Sequence, residues 1–153
     1  MLNVEDTVPT ESLSFVPELA SRTWRVLFFF PRAATTHCQM QARRFESLNP
    51  DFQALGVQIV GASSDTRPQH SSFRDLCRVT YPLVADPSGE LGRAFGVLED
   101  EVVDGENNLR AKRVTFVLSP DHRVVKRYDD VDPDAHASIV LEDLQSLLRS
   151  PPR

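Results

Sequence analysis

One stretch, Val26 to Cys38 (VLFFFPRAATTHC), constrains the fold more than any other. Its five consecutive apolar residues, Val26 to Phe30, have the length and content of a strand buried on both faces. Pro31 ends it, because proline carries no N–H to continue a ladder. Seven positions later Cys38 opens a helical pattern of Cys38, Met40, Ala42, Phe45 and Leu48. A cysteine there sits among the unpaired N–H groups and the positive dipole end of a helix, which favour thiolate over thiol. The position suits a small buried hydrophobe equally well, the commonest fate of a free cysteine. Placement alone leaves both readings open.

Length and composition narrow the classes. At 153 residues the chain reads as one domain, 1–153, large enough for a core without staples. A net charge of −5 and the lack of a basic patch argue against nucleic-acid binding. The apolar run Val26–Phe30 is far too short to span a bilayer, so no membrane association is expected. The start, MLNVEDTVPT, has neither a basic nor an apolar segment of a signal peptide, and a cytoplasmic location is the expectation. In that compartment two cysteines 39 positions apart read as redox or catalytic groups rather than a permanent crosslink. His37, His70, His122 and His136 show no metal spacing, and there is no C-x-x-C pair.

Taken in order, Val4, Val8, Leu13, Phe15 and Val16 predict short strands, kept at an edge by Pro9 and Pro17. Asn49-Pro50 is expected to interrupt the Cys38 helix, with Asp51 capping a second piece that Gly56 closes in a left-handed conformation. Val57–Ala62 reads as a second buried strand, making a βαβ unit with a right-handed crossover. Thr66-Arg67-Pro68-Gln69 has a threonine N-cap, an early proline and a glutamine at the capping-box position, and starts a helix running to Cys77. Leu83–Ala85 is a short extended piece, Asp86-Pro87-Ser88-Gly89 a turn, and Glu90–Phe95 a short helix ended by Gly96. From Glu99 to Glu106 five of eight residues are acidic, and Asp104-Gly105 and Asn107-Asn108 are turn signals. Val114–Leu118 and Arg123–Tyr128 predict an antiparallel hairpin. Asp132-Pro133 is expected to cap a last helix whose Ala137, Val140, Leu141, Leu144, Leu147 and Leu148 face the sheet.

Pro31, Thr35 and Cys38 form P-x-x-x-T-x-x-C, which resembles the active-site signature of the peroxiredoxins, thiol peroxidases of thioredoxin-like fold. GASSDTRPQHSSF (61–73), YPLVADPSGELGRAFGV (81–97), RVTFVLSPDHRV (113–124) and DVDPDAHASIVLEDL (130–144) follow in the order expected of that family. The chain looks most like the bacterioferritin-comigratory (PrxQ) branch, then the one-cysteine AhpE-like branch, over roughly residues 4 to 148. The resemblance implies an α/β fold with a central mixed sheet flanked by helices, no cofactor, and reduction of hydrogen peroxide and organic hydroperoxides. Cys38 is then the attacking thiolate. Thr35 holds the sulfur and one peroxide oxygen through its hydroxyl, Arg113 sets its guanidinium against both, and Pro31 shields the thiolate from water.

Acidity alone makes no fast peroxidase. Lowering a cysteine pKa from about 8.5 to about 6 raises the thiolate fraction at pH 7 roughly thirty-fold, while nucleophilicity falls roughly ten-fold. The larger factors must come from donors aimed at the oxygens as the O–O bond breaks. Attack leaves a sulfenic acid, which must be resolved before it overoxidises. In the PrxQ branch a resolving cysteine five residues on is one arrangement, and Arg43 stands there; the next helix is the other, and Cys77 matches it. The resemblance therefore implies a Cys38–Cys77 disulfide recycled by thioredoxin or a similar dithiol, in a monomer or weak homodimer. Since a disulfide needs Cα atoms within roughly 7 Å, helix ends must unwind locally. The alternatives are a one-cysteine peroxidase with Cys77 structural, and a thioredoxin-fold binding module without turnover. The chain departs from the family pattern at Thr36-His37, where glycine is usual, at Gln41, where an acid is common, and across 99–113.

Overall fold

The computed structural model describes residues 1–33 and 35–149, so 34 and 150–153 of the expected single domain lie outside the described residues. The fold is laid down around β1 (Trp24–Phe29), the middle strand of a five-stranded sheet. On one side β1 pairs in parallel with β2 (Val57–Ser63), and β2 in parallel with β3 (Leu83–Ala85). On the other side β1 runs antiparallel to β6 (Thr115–Leu118), and β6 antiparallel to β7 (Val124–Tyr128). The sheet is mixed, as expected.

Both faces of β1 are covered, which is why its sequence shows no polar alternation. Val26, Phe28 and Phe30 pack under α2 (Thr36–Ala54), α3 (Arg67–Cys77) and α5 (His136–Arg149), against Phe45, Phe73 and Leu144. Phe28 stacks on Phe45 with centroids 4.6 Å apart, and Phe30 on Phe73 at 5.4 Å. Leu27 and Phe29 face the other core with Leu19, Leu91, Phe95 and Phe116. That side carries α1 (Thr10–Phe15), the 3-10 turn Pro17–Leu19 and α4 (Glu90–Phe95). None of the described helices is long and apolar enough to cross a membrane.

The helix start at Thr66 forms the full capping box: the Thr66 hydroxyl accepts from Gln69 N, and the Gln69 side chain accepts from Thr66 N at 2.8 Å. Four expectations are corrected. The N-terminal segment forms α1 and a 3-10 turn instead of strands; Pro9 and Pro17 occupy an N-cap and a first helical position, which suit proline as well as a strand edge does. Thr7 forms an isolated antiparallel bridge with Arg123, and Val8 N donates to His122 O at 2.8 Å. Pro50 lies inside one continuous α2, and Asp51 is no cap. Proline forfeits one helical hydrogen bond there, but buried Phe45, Asn49 and Phe52 hold both halves against the sheet.

The last helix begins at His136, not beside Pro133: the Asp132 carboxylate accepts from Asp134 N at 3.0 Å and its carbonyl from His136 N at 2.9 Å, forming a turn that precedes the helix. Leu147 is exposed rather than on the sheet. The acidic segment is a hairpin of β4 (Leu98–Val103) and β5 (Glu106–Ala111), in register from Leu98↔Ala111 to Val103↔Glu106. Its turn, Asp104-Gly105, has φ of +53° and +80°, the type I′ geometry for which Asp-Gly is suited.

Candidate active site

The loop between β1 and α2 is fastened on both sides. Phe30 N still donates to Ala62 O at 3.0 Å, extending the parallel ladder to the edge of Pro31. Beyond the proline, Ala33 N donates to Asp65 Oδ2 at 2.7 Å, and the same oxygen accepts from Ser63 Oγ at 2.6 Å. The Ser63 hydroxyl hydrogen being committed to Asp65, buried His70 donates to Ser63 Oγ from Nε2 at 2.6 Å. Burial holds the His70 pKa below the usual imidazole value, opposed by the Asp65 charge and reinforced, to a lesser degree, by Arg74. On the hairpin side Arg32 forms an ion pair with Glu101, which also accepts from Arg110 Nη1 at 3.3 Å.

Cys38 is the third residue of α2 and only 1% exposed. It sits where backbone N–H groups lack helical partners and the dipole is positive, the placement its sequence predicts. Arg113, half-buried ahead of β6, donates from Nη2 to Cys38 Sγ at 3.3 Å and from Nη1 to Gln41 Oε1 at 2.5 Å. Strand pairing makes this contact: β6 lies beside β1 and aims the guanidinium across the sheet end at the first turn of α2. Gln41 is fully buried, and its Nε2 has no partner among the described residues. The amide accepts from Arg113 without neutralising it, so the guanidinium charge stays available to the sulfur.

The wall behind this pair is uncharged. His136 Nε2 bonds Thr115 Oγ1 at 2.8 Å, and burial, reinforced by the Arg113 charge, lowers its pKa to about 4. At neutral pH it is therefore a neutral ring, packed edge-on against Phe45 and Tyr128.

Thr35 and Pro31 stand in the same loop, ahead of Cys38. Thr35 is the N-cap residue, and its exposed hydroxyl donates to Arg32 O at 3.2 Å. Pro31 is half-buried and lines a cavity of about 550 Å³ with Arg32, Asp65, Arg93 and Arg110. His37 is exposed. Cys77 ends α3 and is 5% exposed, in the same core as Cys38; both thiols are free. Burial pushes the Cys77 thiol pKa up, with Arg43 acting in the opposite direction. Among the described residues no group of three His, Cys, Asp or Glu is placed to hold a metal ion.

The structure thus joins Cys38 to Arg113 by a hydrogen bond, whereas the Thr35 hydroxyl is bonded to Arg32 O and Cys77 shares only the core with Cys38 among the contacts described. Sequence reasoning missed Asp65 as the acceptor that pins the loop; its signal was an acid directly before the Thr66 cap. Gln41 was visible only as a departure from pattern, and its role as the Arg113 partner needed the fold.

Residues 11–127 match the AhpC/TSA family. Peroxiredoxin Bcp of Xanthomonas campestris is 34% identical over 123 residues, covering 80% of this chain and 77% of that protein. Among solved structures, a PrxQ mutant from Xylella fastidiosa superposes with a TM-score of 0.86 at 26% identity, covering 96% of this chain and 98% of that one. Peroxidoxin BcpB from Mycobacterium tuberculosis gives a TM-score of 0.80 at 30% identity, covering 96% and 99%. The fold these neighbours share is the thioredoxin-like peroxiredoxin fold.

Proposed function

This chain belongs to the AhpC/TSA family and is a peroxiredoxin, a thiol-dependent peroxidase; from that premise we propose that Cys38 is the thiol that reduces the peroxide. The observation that carries the assignment is the 3.3 Å contact between Arg113 Nη2 and Cys38 Sγ at the first turn of α2. The Cys38 thiolate attacks the nearer oxygen of ROOH. The S–O bond forms as the O–O bond breaks, and the departing alkoxide takes a proton to leave as ROH. Arg113 steadies the negative charge on sulfur and then on the leaving oxygen, with Gln41 holding its fork in place.

Thr35 joins the pocket once its hydroxyl leaves the Arg32 carbonyl and turns to the peroxide. Pro31 keeps water off the sulfur. A cavity of about 340 Å³ between the loop and α3, lined by Ala33, Phe73 and Leu76, offers an apolar place for the R group of an organic hydroperoxide.

In the second half of the cycle Cys77 attacks the Cys38 sulfenic acid. An S–S bond forms, the S–O bond breaks, and hydroxide leaves with the Cys77 proton as water. A dithiol such as thioredoxin then reduces the disulfide. Both helices lose local structure for this, since each sulfur is held in a folded turn. The burial of Cys77 favours a second reading, in which it is structural and an external thiol resolves Cys38. Peroxide consumption with thioredoxin and its reductase separates the two. Loss in Cys38→Ser and Cys77→Ser alike supports the two-cysteine cycle; loss in Cys38→Ser alone supports the one-cysteine cycle. Full activity in Cys38→Ser refutes the assignment.

A further inference from the structure

The two thiols sit at opposite ends of their helices, and the physics of the ends is opposite. Cys38 lies at a helix N-terminus, where the dipole favours negative charge. Cys77 is the last residue of α3, where orphan carbonyls and the negative dipole end oppose a thiolate, and it is buried as well. A thiol placed this way attacks poorly unless a cation offsets both effects.

Arg43 supplies that cation. It stands on α2, five residues after Cys38, and reaches across to donate from Nη2 to Leu76 O at 3.3 Å. Leu76 O is one of the carbonyls at the end of α3, so the guanidinium covers the end of the helix whose field opposes the thiolate. Burial raises the Cys77 thiol pKa, and the nearby Arg43 guanidinium acts against that effect.

We propose that Arg43 is a positioning residue for the resolving half-reaction: it holds the end of α3 and makes Cys77 able to attack the Cys38 sulfenic acid. The inference rests on the two-cysteine reading. In the step itself the Cys77 thiolate forms the S–S bond, hydroxide leaves Cys38, and the proton that Cys77 released completes a water molecule. Arg43 gives up no proton; it stabilises the thiolate before attack.

Among the described residues, the titratable groups that act electrostatically with Cys77 are Arg43 from α2 and the Tyr81 phenol from the segment after α3. Tyr81 is deeply buried and donates to Ala42 O at 2.8 Å; burial, then the charges of Glu46 and Cys77, keep it protonated far above neutral pH. Glu46, also on α2, accepts from Thr80 N at 2.7 Å and Thr80 Oγ1 at 2.9 Å. Of these groups Arg43 alone favours a negative sulfur.

The magnitude is modest. For each ten-fold loss of thiolate, the weaker acid is a stronger nucleophile by about three-fold, so net attack slows about three-fold. Lost alignment adds to this, giving about three- to ten-fold at pH 7.

The test mixes reduced protein with one equivalent of hydrogen peroxide, quenches in acid and measures disulfide formation between pH 5.5 and 9. Arg43→Gln is expected to slow the step three- to ten-fold at pH 7 and to move its rising limb to higher pH. Arg43→Lys, which keeps the charge but not the fork, is expected to restore the limb. A companion measurement, alkylation of Cys77 by iodoacetamide in Cys38→Ser, reads the thiol directly and shows the same displacement when Arg43→Gln is added. A limb that stays in place in Arg43→Gln in both measurements overturns the inference and leaves the two-cysteine reading standing. Wild type that consumes the peroxide but forms no disulfide overturns that reading itself. Should Arg43→Gln fail to fold, the decision passes to Arg43→Lys: a limb at the wild-type pH supports the charge role, and one displaced upward contradicts it.

Discussion

Removing the Arg113 charge is the sharpest perturbation of the first half-reaction. At the observed 3.3 Å and an effective dielectric of about 20, a guanidinium–thiolate pair is worth about 5 kcal/mol. Water would solvate the free thiolate in its place and recovers part of that. Only what is stronger in the transition state than in the resting thiolate accelerates the chemistry. As charge moves from sulfur to the leaving oxygen, a guanidinium N–H used by neither Cys38 nor Gln41 gains a partner that the ground state lacks. One preorganised donor of this kind contributes about 3 kcal/mol, or about 10²-fold in rate. Arg113→Gln is therefore expected to lower the second-order rate constant for Cys38 oxidation about 10²-fold. Arg113→Lys keeps the charge but cannot span both Sγ and Gln41 Oε1, and is expected to fall about ten-fold. The assay is stopped-flow competition against a peroxide-consuming reporter, with thermal unfolding as the control. An Arg113→Gln protein that folds normally and reacts within three-fold of wild type refutes the electrostatic role.

Three further outcomes follow from the same contacts. Asp65→Ala leaves Ala33 N and the Ser63 hydroxyl without their acceptor, and is expected to cost about 1–3 kcal/mol in urea unfolding while raising amide exchange over residues 31–38. His136 has a folded-state pKa near 4 against about 6.5 unfolded, so the unfolded chain binds the extra proton between those values and stability falls as pH drops through 6.5 toward 4. Between pH 7.5 and 5 the loss from this residue is about 2 kcal/mol. Buried His70 adds to it in the same direction, and His136→Gln is expected to flatten the slope of unfolding free energy against pH. Gln41→Leu removes the amide that holds Arg113, and is expected to slow peroxide reduction about ten-fold with little change in melting temperature, because it also removes a buried unpaired Nε2.

What was legible from sequence was local chemistry acting where it usually acts. Val26–Phe30 is apolar throughout because both faces of β1 are covered, and the Thr66–Gln69 box works through neighbouring residues alone. Cys38 at a helix start followed from a proline-stopped strand and a helical repeat. The failures share a cause: a local signal with more than one use. Pro9 and Pro17 suit helix starts as well as strand edges, and Pro50 is outweighed by the packing of Phe45 and Phe52. The β4–β5 hairpin was hidden because its strands carry polar residues on both faces and so lack apolar alternation. Thr35 stands in the loop the motif indicates, yet its hydroxyl donates to Arg32 O. The reach of Arg113 to Cys38 spans 75 positions of chain and depends on β6 lying next to β1, which no local pattern encodes.

Intact-mass analysis after one equivalent of hydrogen peroxide tests the account most directly. Wild type is expected to lose about 2 Da as the Cys38–Cys77 disulfide forms, and Cys77→Ser to gain about 16 Da, with fragmentation placing the oxygen on Cys38. A Cys38→Ser protein that still consumes the peroxide, or an oxygen carried anywhere other than Cys38 in Cys77→Ser, contradicts it.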